Sequence, residues 1–214
     1  AMKLALIGPT GFVGSAVLPE ALQRGHAVTA LARQPQKLTA RPGLSVVQAD
    51  VLDAAQVAQA VAGHDAVISA YNPGWSDPQI HDNFLRGTRA IFDGVKRAGV
   101  KRLLVVGGAG SLYVAPGVQL VDTPTFPEQW KQGALAAREA LDLIGQESTL
   151  DWTFVSPPVF LEPGERTGRF RVGGDEVLMN GDQPARISVA DLAVAILDEI
   201  ERPQHVGKRF TVGY

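Results

Sequence analysis

Gly8-Pro9-Thr10-Gly11-Phe12-Val13-Gly14 stands between the apolar run Leu4 to Ile7 and a segment, Phe12 to Leu22, whose apolar residues recur at helical spacing until Arg24-Gly25. The order is strand, glycine turn, helix. Glycine there permits a tight turn and lets backbone N–H groups approach a phosphate. The following helix N-terminus supplies unpaired donors and a partial positive charge. The spacing is Gly-x-x-Gly-x-x-Gly, not the Gly-x-Gly-x-x-Gly of the common dinucleotide fingerprint, so place in the chain counts as much as the triplet. Gly8, Thr10, Gly11, Phe12, Val13 and Gly14 are expected to hold a coenzyme pyrophosphate. The plainer alternative is that these glycines only let the helix pack close to the sheet.

Outward from this loop, apolar strands alternate with helices. Ala27 to Ala32, Leu44 to Gln48 and Ala66 to Ser69 read as strands, with an Ala-rich helix over Ala54 to Val61 before the last. Ile80, Phe84, Thr88, Ile91 and Val95 share one face of a long helix, and Arg102 to Val106 follows as a strand apolar enough to be buried on both faces. A helix over Pro127 to Leu143 leads through Gly145 to a strand at Trp152 to Val155. This alternation predicts an α/β fold, a doubly wound parallel sheet of Rossmann type with a ligand crevice at the strands' C-terminal ends. After Ser156-Pro157-Pro158 the chain turns Gly/Pro-rich and charged, with short strands expected at Phe170 to Val172 and Glu176 to Leu178. Residues 157–188 read as a small substrate-side lobe within a single domain, 1–214. The helix Val189 to Glu201 and the strand Arg209 to Val212 then return to the main sheet.

Composition narrows the partners. In 214 residues, 20 Lys+Arg oppose 22 Asp+Glu, and 45% of residues are hydrophobic, the balance of a soluble globular protein. No run approaches membrane-spanning length, and a net charge of −2 without a basic cluster argues against nucleic acid. The absence of cysteine removes disulfides, thiolate catalysis and Cys-ligated zinc, and fits a reducing cytoplasm. A strand beginning almost at once leaves no room for a signal peptide. His26, His64, His81 and His205 show no i,i+4 pair, so no metal site is expected. A small molecule acting on a monomer or homodimer is the expected partnership.

Coenzyme preference is read about 20 residues past the loop, where an acid commonly holds the ribose 2′-OH of NAD. No Asp or Glu occurs between Glu20 and Asp50, whereas Arg24, Arg33, Lys37 and Arg41 do. A 2′-phosphate suits Arg33, which can pair with it and stack on adenine, and Lys37 adds a point charge. NADPH is therefore expected over NADH. Asp50-Val51 follows the third strand, where a carboxylate can accept the adenine amino group, although Asp53 is better placed to cap the next helix. Ser69, Ala70 and Tyr71 after the fourth strand, Gly107, Gly108 and Ala109 after the fifth, and Ser156, Pro157 and Pro158 after the sixth would border the rest of the coenzyme.

With these features in place, the chain resembles the short-chain dehydrogenase/reductase superfamily, in particular its atypical branch of NADH-flavin reductases and biliverdin-IXβ/flavin reductase-like proteins. The resemblance is carried by the Gly8 to Gly14 loop, Ala32-Arg33, Gly107-Gly108-Ala109-Gly110-Ser111-Leu112, Asp151 to Pro157, Glu162-Pro163-Gly164-Glu165-Arg166-Thr167-Gly168 and Ile187 to Ala193. The chain departs from the superfamily in lacking Tyr-x-x-x-Lys, whose positions fall at Lys131 and Leu135. No tyrosine lies between Tyr113 and Tyr214.

The resemblance implies hydride transfer from NADPH to a flavin (FMN or FAD) or a linear tetrapyrrole, which has less need of that pair because the acceptor's nitrogens take protons from solvent. Ser111 is then the catalytic candidate, near the nicotinamide, with Tyr71, Asn72, Trp75 and Tyr113 lining the pocket of a planar acceptor. His81 could reach the acceptor, and Arg166 and Arg169 could hold its anionic groups. Two alternatives share the fold: a non-catalytic, NmrA-like regulator that senses NAD(P) redox state, and a nucleotide-sugar epimerase or dehydratase.

Overall fold

In the computed structural model, which describes residues 1–214, the first half of the chain alternates strand and helix as its apolar pattern dictates. It comprises β1 (Lys3–Ile7), α1 (Gly14–Gln23), β2 (Ala27–Ala32), β3 (Leu44–Gln48), α2 (Ala54–Val61), β4 (Ala66–Ser69), α3 (Ile80–Arg97) and β5 (Arg102–Val106). A hairpin of β6 (Tyr113–Ala115) and β7 (Val118–Gln119) follows, then α4 (Glu128–Gly145) and β8 (Asp151–Ser156). Beyond lie β9 (Phe160–Glu162), β10 (Arg171–Gly173), β11 (Met179–Asn180), β12 (Gln183–Pro184), β13 (Arg186–Ser188), α5 (Val189–Glu201) and β14 (Lys208–Gly213).

Eight strands form the main sheet in the order β10-β14-β8-β5-β4-β1-β2-β3, parallel except for β10, which runs antiparallel to β14. The chain steps from β1 to β2 and β3, then returns to lay β4 on the other flank of β1. The strand order therefore reverses between β1 and β4, the place where sheets of this kind take ligands at the strands' C-terminal ends. The central apolar runs divide with period two. Ala5, Ile7, Val67, Leu103 and Val105 meet α2, α3 and α4, whereas Leu4, Leu6, Ala66, Ile68, Leu104 and Val106 meet α1 and α5. The doubly wound fold follows from strands that are greasy on both faces.

The structure departs from the sequence reading in three places. Helix α1 starts at Gly14, not Phe12, because Phe12 and Val13 complete the glycine turn. Glu176 to Leu178 is not a strand. Glu176 makes an isolated bridge to Tyr113, and the strand begins at Met179, where Gly181, at φ 66°, closes a two-residue turn to Gln183. The segment 157–188 is divided: β10 extends the main sheet, β9 and β13 pair with each other, and β11 and β12 form a small hairpin.

Arg166 is turned to the α1 side. Its Nε and Nη2 donate to Glu20 Oε1 and Oε2 at 2.7 and 3.0 Å, while Arg24 Nε reaches Oε2 at 2.7 Å. Arg24 continues to Asp198 and Glu201 on α5, so one buried carboxylate ties α1 to α5 and to the 166–168 turn. The same turn is held by Asp191, fully buried, which accepts from Thr167 N, Gly168 N, Thr167 Oγ1 and Tyr214 Oη.

The Arg166 hydrogen bond outweighs burial and, with Arg24, holds Glu20 below the ordinary glutamate pKa. A depressed carboxylate contributes stability that is present above its unfolded pKa and lost as pH falls through the folded value. Glu20→Gln should therefore lower Tm by about 5 °C at neutral pH, the deficit shrinking below roughly pH 4; thermal melts across pH read it.

Candidate coenzyme and acceptor site

Gly8 takes φ 76°, and a Cβ built on it would lie 2.6 Å from the carbonyl oxygen of Ala70, at the end of β4. A Cβ on Gly14 would lie 1.8 Å from the Gly8 carbonyl oxygen. Both positions admit glycine alone, and they draw β1, β4 and the start of α1 together at the reversal of strand order. Gly11 differs: a Cβ there would meet only Gly8 O, at 3.7 Å, so its open face permits close approach from outside. Gly11 N bonds Gly8 O and Ser15 N bonds Gly11 O, whereas the N–H groups of Thr10, Phe12, Val13 and Gly14 donate to no protein acceptor. Helix α1 has no side-chain cap and no acid in its first turn. These donors fit a pyrophosphate.

At the end of β2, Arg33 is exposed, and Lys37 follows on a single 3-10 turn, Pro35–Lys37; neither is paired with an acid. Asp50, beyond β3, accepts Leu52 N at 3.0 Å through Oδ1, leaving Oδ2 without a protein donor. Val51 beside it is buried. Asp53 caps α2, accepting from Ala55 N and Gln56 N. Tyr71 stands between this end and α3. Its hydroxyl donates to Asn83 O at 3.0 Å, and its ring fills the space where a Cβ on Gly87 would sit, 2.3 Å from Cε2. Burial raises the Tyr71 pKa, the charge of Asp77 adds to the rise, and that of Arg33 opposes it.

On the other flank of β4, Ser69 is buried, and Ala70 N continues the ladder to Ile7 O at 2.9 Å. Gly107 exists because a Cβ would strike the Phe154 ring at 1.9 Å; Gly108 and Ala109 follow, partly exposed, along α4. Ser111 is 3% exposed. Its Oγ accepts from Arg209 Nη1 at 2.9 Å, and Ser156 Oγ accepts from the same nitrogen at 3.1 Å. Pro157 and Pro158 are buried behind them.

The acceptor side is shaped by the loop after β4. Asn72 Oδ1 accepts from Gly74 N at 2.7 Å, which sets the turn. Trp75 lays its ring on α4, where a Cβ at Gly133 would be 2.4 Å from Cζ3, yet the residue stays 56% exposed. The Cζ3–Cε3 edge of the indole is thus packed while the rest of the residue is open. Tyr113, half-buried, donates through its backbone N–H to Asp175 O at 2.8 Å. His81 lies between Asp82 and Glu139, whose hydrogen bonds, that of Asp82 first, raise its pKa and occupy both ring nitrogens. Lys131 and Leu135 on α4 stand where a Tyr-x-x-x-Lys pair would fall, and Trp75 covers Gly133 between them.

The structure gathers two groups of the residues expected from sequence. Gly8 of the glycine loop lies against Ala70 and the backbone of Tyr71, and Ser111 and Ser156 share Arg209 close to Gly107, whose N–H donates to Val155 O. Arg166 points elsewhere. Sequence reasoning missed Arg209, although the alternation of Phe210 and Val212 into the α5-side core already assigned Arg209 to the opposite face of β14.

A family model described as NAD(P)H-binding matches residues 8–200. The uncharacterized protein YwnB of Bacillus subtilis is 39% identical over 214 residues, covering 99% of this chain and 98% of its own length. A candidate epimerase of Bacteroides thetaiotaomicron superposes with TM-score 0.93 at 46% identity, over 100% of this chain and 97% of that one. A candidate NADH-flavin reductase of Streptococcus pneumoniae superposes with TM-score 0.85 at 36% identity, over 100% and 99%. No helix is long and apolar enough to cross a membrane. The glycine loop generates a direct expectation: Gly14→Ala should weaken NADPH binding at least about tenfold and lower Tm, by forcing apart the Gly8 carbonyl and α1; fluorescence titration and thermal melts report the two effects.

Proposed function

The chain belongs to the NAD(P)H-binding family, and on that premise we propose that it is an NADPH-dependent oxidoreductase that reduces a flavin or another planar acceptor. One observation carries the reading: the N–H groups of the glycine turn have no protein acceptor, and α4 has no tyrosine and is covered at Gly133 by Trp75. When bound, the reduced nicotinamide supplies the hydride. The protein's part is orientation. The free N–H groups of Thr10, Phe12, Val13 and Gly14 hold the pyrophosphate, and Asp50 Oδ2 accepts from the adenine amino group. Arg33 and Lys37, unpaired and exposed, meet a 2′-phosphate with charge that no nearby acid neutralises. Trp75 offers a stacking face to a planar ring, and Tyr113 bounds the opposite wall.

Hydride transfer to a flavin leaves protonation to solvent, so this site can act without a tyrosine proton donor. Epimerisation through Tyr-x-x-x-Lys cannot proceed on this α4. The resemblance to the Streptococcus pneumoniae structure supports the flavin reading.

Mixing the protein with NADPH and FMN, FAD or biliverdin should give loss of reduced-coenzyme absorbance above a protein-free control. Tight NADPH binding with no oxidation by any acceptor would instead identify a redox-sensing regulator. Arg33→Ala should weaken NADPH at least about tenfold while leaving NADH within about twofold, read as paired dissociation constants; equal losses would remove the 2′-phosphate role.

A further inference from the structure

The main sheet is incompletely covered at its β10 edge. Val172 of β10 pairs with Val212 of β14, so both side chains point to the α5 face. Val212 and Phe210 are buried there, whereas Val172 stays 54% exposed. On the helix side, α5 presents Ala195, Asp198 and Glu199, with Arg202 at its C-cap, a set at i, i+3, i+4 and i+7 that shares one helical face. Between strand edge and helix lies a cavity of about 320 Å³, which the turn residues Gln204 and His205 also line. That is the size of a small-molecule site. His205 precedes β14, at the end of the parallel sheet opposite to the glycine turn that follows β1. The cavity is therefore separate from the coenzyme site.

Its walls are largely aromatic, and they are fixed in place. Phe170 packs on the α5-side core, and the His205 ring stacks on Phe210 with centroids 4.5 Å apart and planes 16° from parallel. Glu199 holds that histidine: His205 Nδ1 donates to Oε1 at 2.8 Å, and the backbone N–H groups of Gln204 and His205 donate to the same carboxylate. The charges around the cavity do not cancel. Asp198 is paired with Arg24 at 3.0 Å, and the buried Glu199 with Arg102 at 2.9 Å. Arg202 is exposed and paired with no acid, although it stands at the C-terminus of α5. Its five-donor fork is the uncommitted charge of the cavity.

We propose that this cavity binds a small aromatic carboxylate, its ring against Val172, Phe170 and the Phe210–His205 stack and its carboxylate on Arg202. A planar apolar ring covers the valine that the edge strand leaves open, and a carboxylate matches the guanidinium fork with two parallel hydrogen bonds. An amine would meet Arg202 as a like charge, since both acids on the wall already hold arginines. The site stands independently of the reductase reading.

Calorimetric titration of the whole protein with 2-naphthoate, 2-naphthalenemethanol and 2-naphthalenemethylamine tests the site. Wild type should bind the carboxylate one to one with Kd below about 1 mM, the neutral alcohol at least about fivefold more weakly, and the amine more weakly still. Arg202→Gln should weaken naphthoate at least about fivefold and leave both the alcohol, within about twofold, and Tm unchanged. Val172→Asp should weaken the carboxylate and the alcohol together, at least about tenfold. If that variant lowers Tm, Arg202→Gln decides alone. Saturating NADPH should leave the naphthoate Kd within about twofold. Absence of saturable binding, equal affinity for the three ligands, undiminished naphthoate binding by Arg202→Gln, or displacement of naphthoate by NADPH would overturn the proposal. If wild type binds no NADPH, the reductase reading falls, and the two substitutions still decide this site.

Discussion

The closest constraint in this molecule is the space that Gly14 leaves empty against the carbonyl of Gly8. With 1.8 Å available to a Cβ, no side chain fits, and the chain must pass from β1 into α1 through the tightest turn open to it. Much else follows from that contact. Gly8, at positive φ, can then lie against Ala70, which joins the ends of β1 and β4 where the strand order reverses. Four backbone N–H groups of the turn are left without a protein acceptor, and α1 carries Glu20, buried against Arg166. The unpaired donors and the close seating of α1 thus share one steric cause.

Charge is distributed with similar economy. Arg24, Arg102, Arg166 and Arg209 are each held by carboxylates between elements, where they fasten α1 to α5, β5 to α5, the 166–168 turn to α1, and β14 to the walls of the crevice. Arg33 and Lys37 are exposed and have no such partner. A cation already paired cannot offer its full charge to a ligand, so this separation divides structural arginines from those fit to read a phosphate.

Much of this was legible in the sequence, because periodicity encodes faces. The run Leu4 to Ile7 implied a strand and Arg102 to Val106 a strand buried on both sides, and the two cores divide both residue by residue. The coenzyme loop and the acid-free stretch that contains Arg33 were legible for a local reason: turn, helix start and charge all fall within a short piece of chain. Glu176 to Leu178 misled because β-propensity does not say whether a partner strand is present; Tyr113 pairs with Glu176 at one point only. Arg166 and Ser111 show the same limit for side chains, since the partners that turn them, Glu20 and Arg209, lie 146 and 98 residues away.

The sequence by itself determined the order of elements, the doubly wound class, the glycine turn between β1 and α1 and the acid-free run that carries Arg33 and Lys37, since each depends on residues within one turn or one strand pair. Only the tertiary structure decided which polar groups were free. It joined Asp191 to Tyr214, Glu20 to Arg166, and both serines to Arg209, and it laid Trp75 over the helix position left bare by Gly133. The physical reason is that a hydrogen bond depends on distance and direction in space, and sheet topology places side by side groups that chain order keeps far apart.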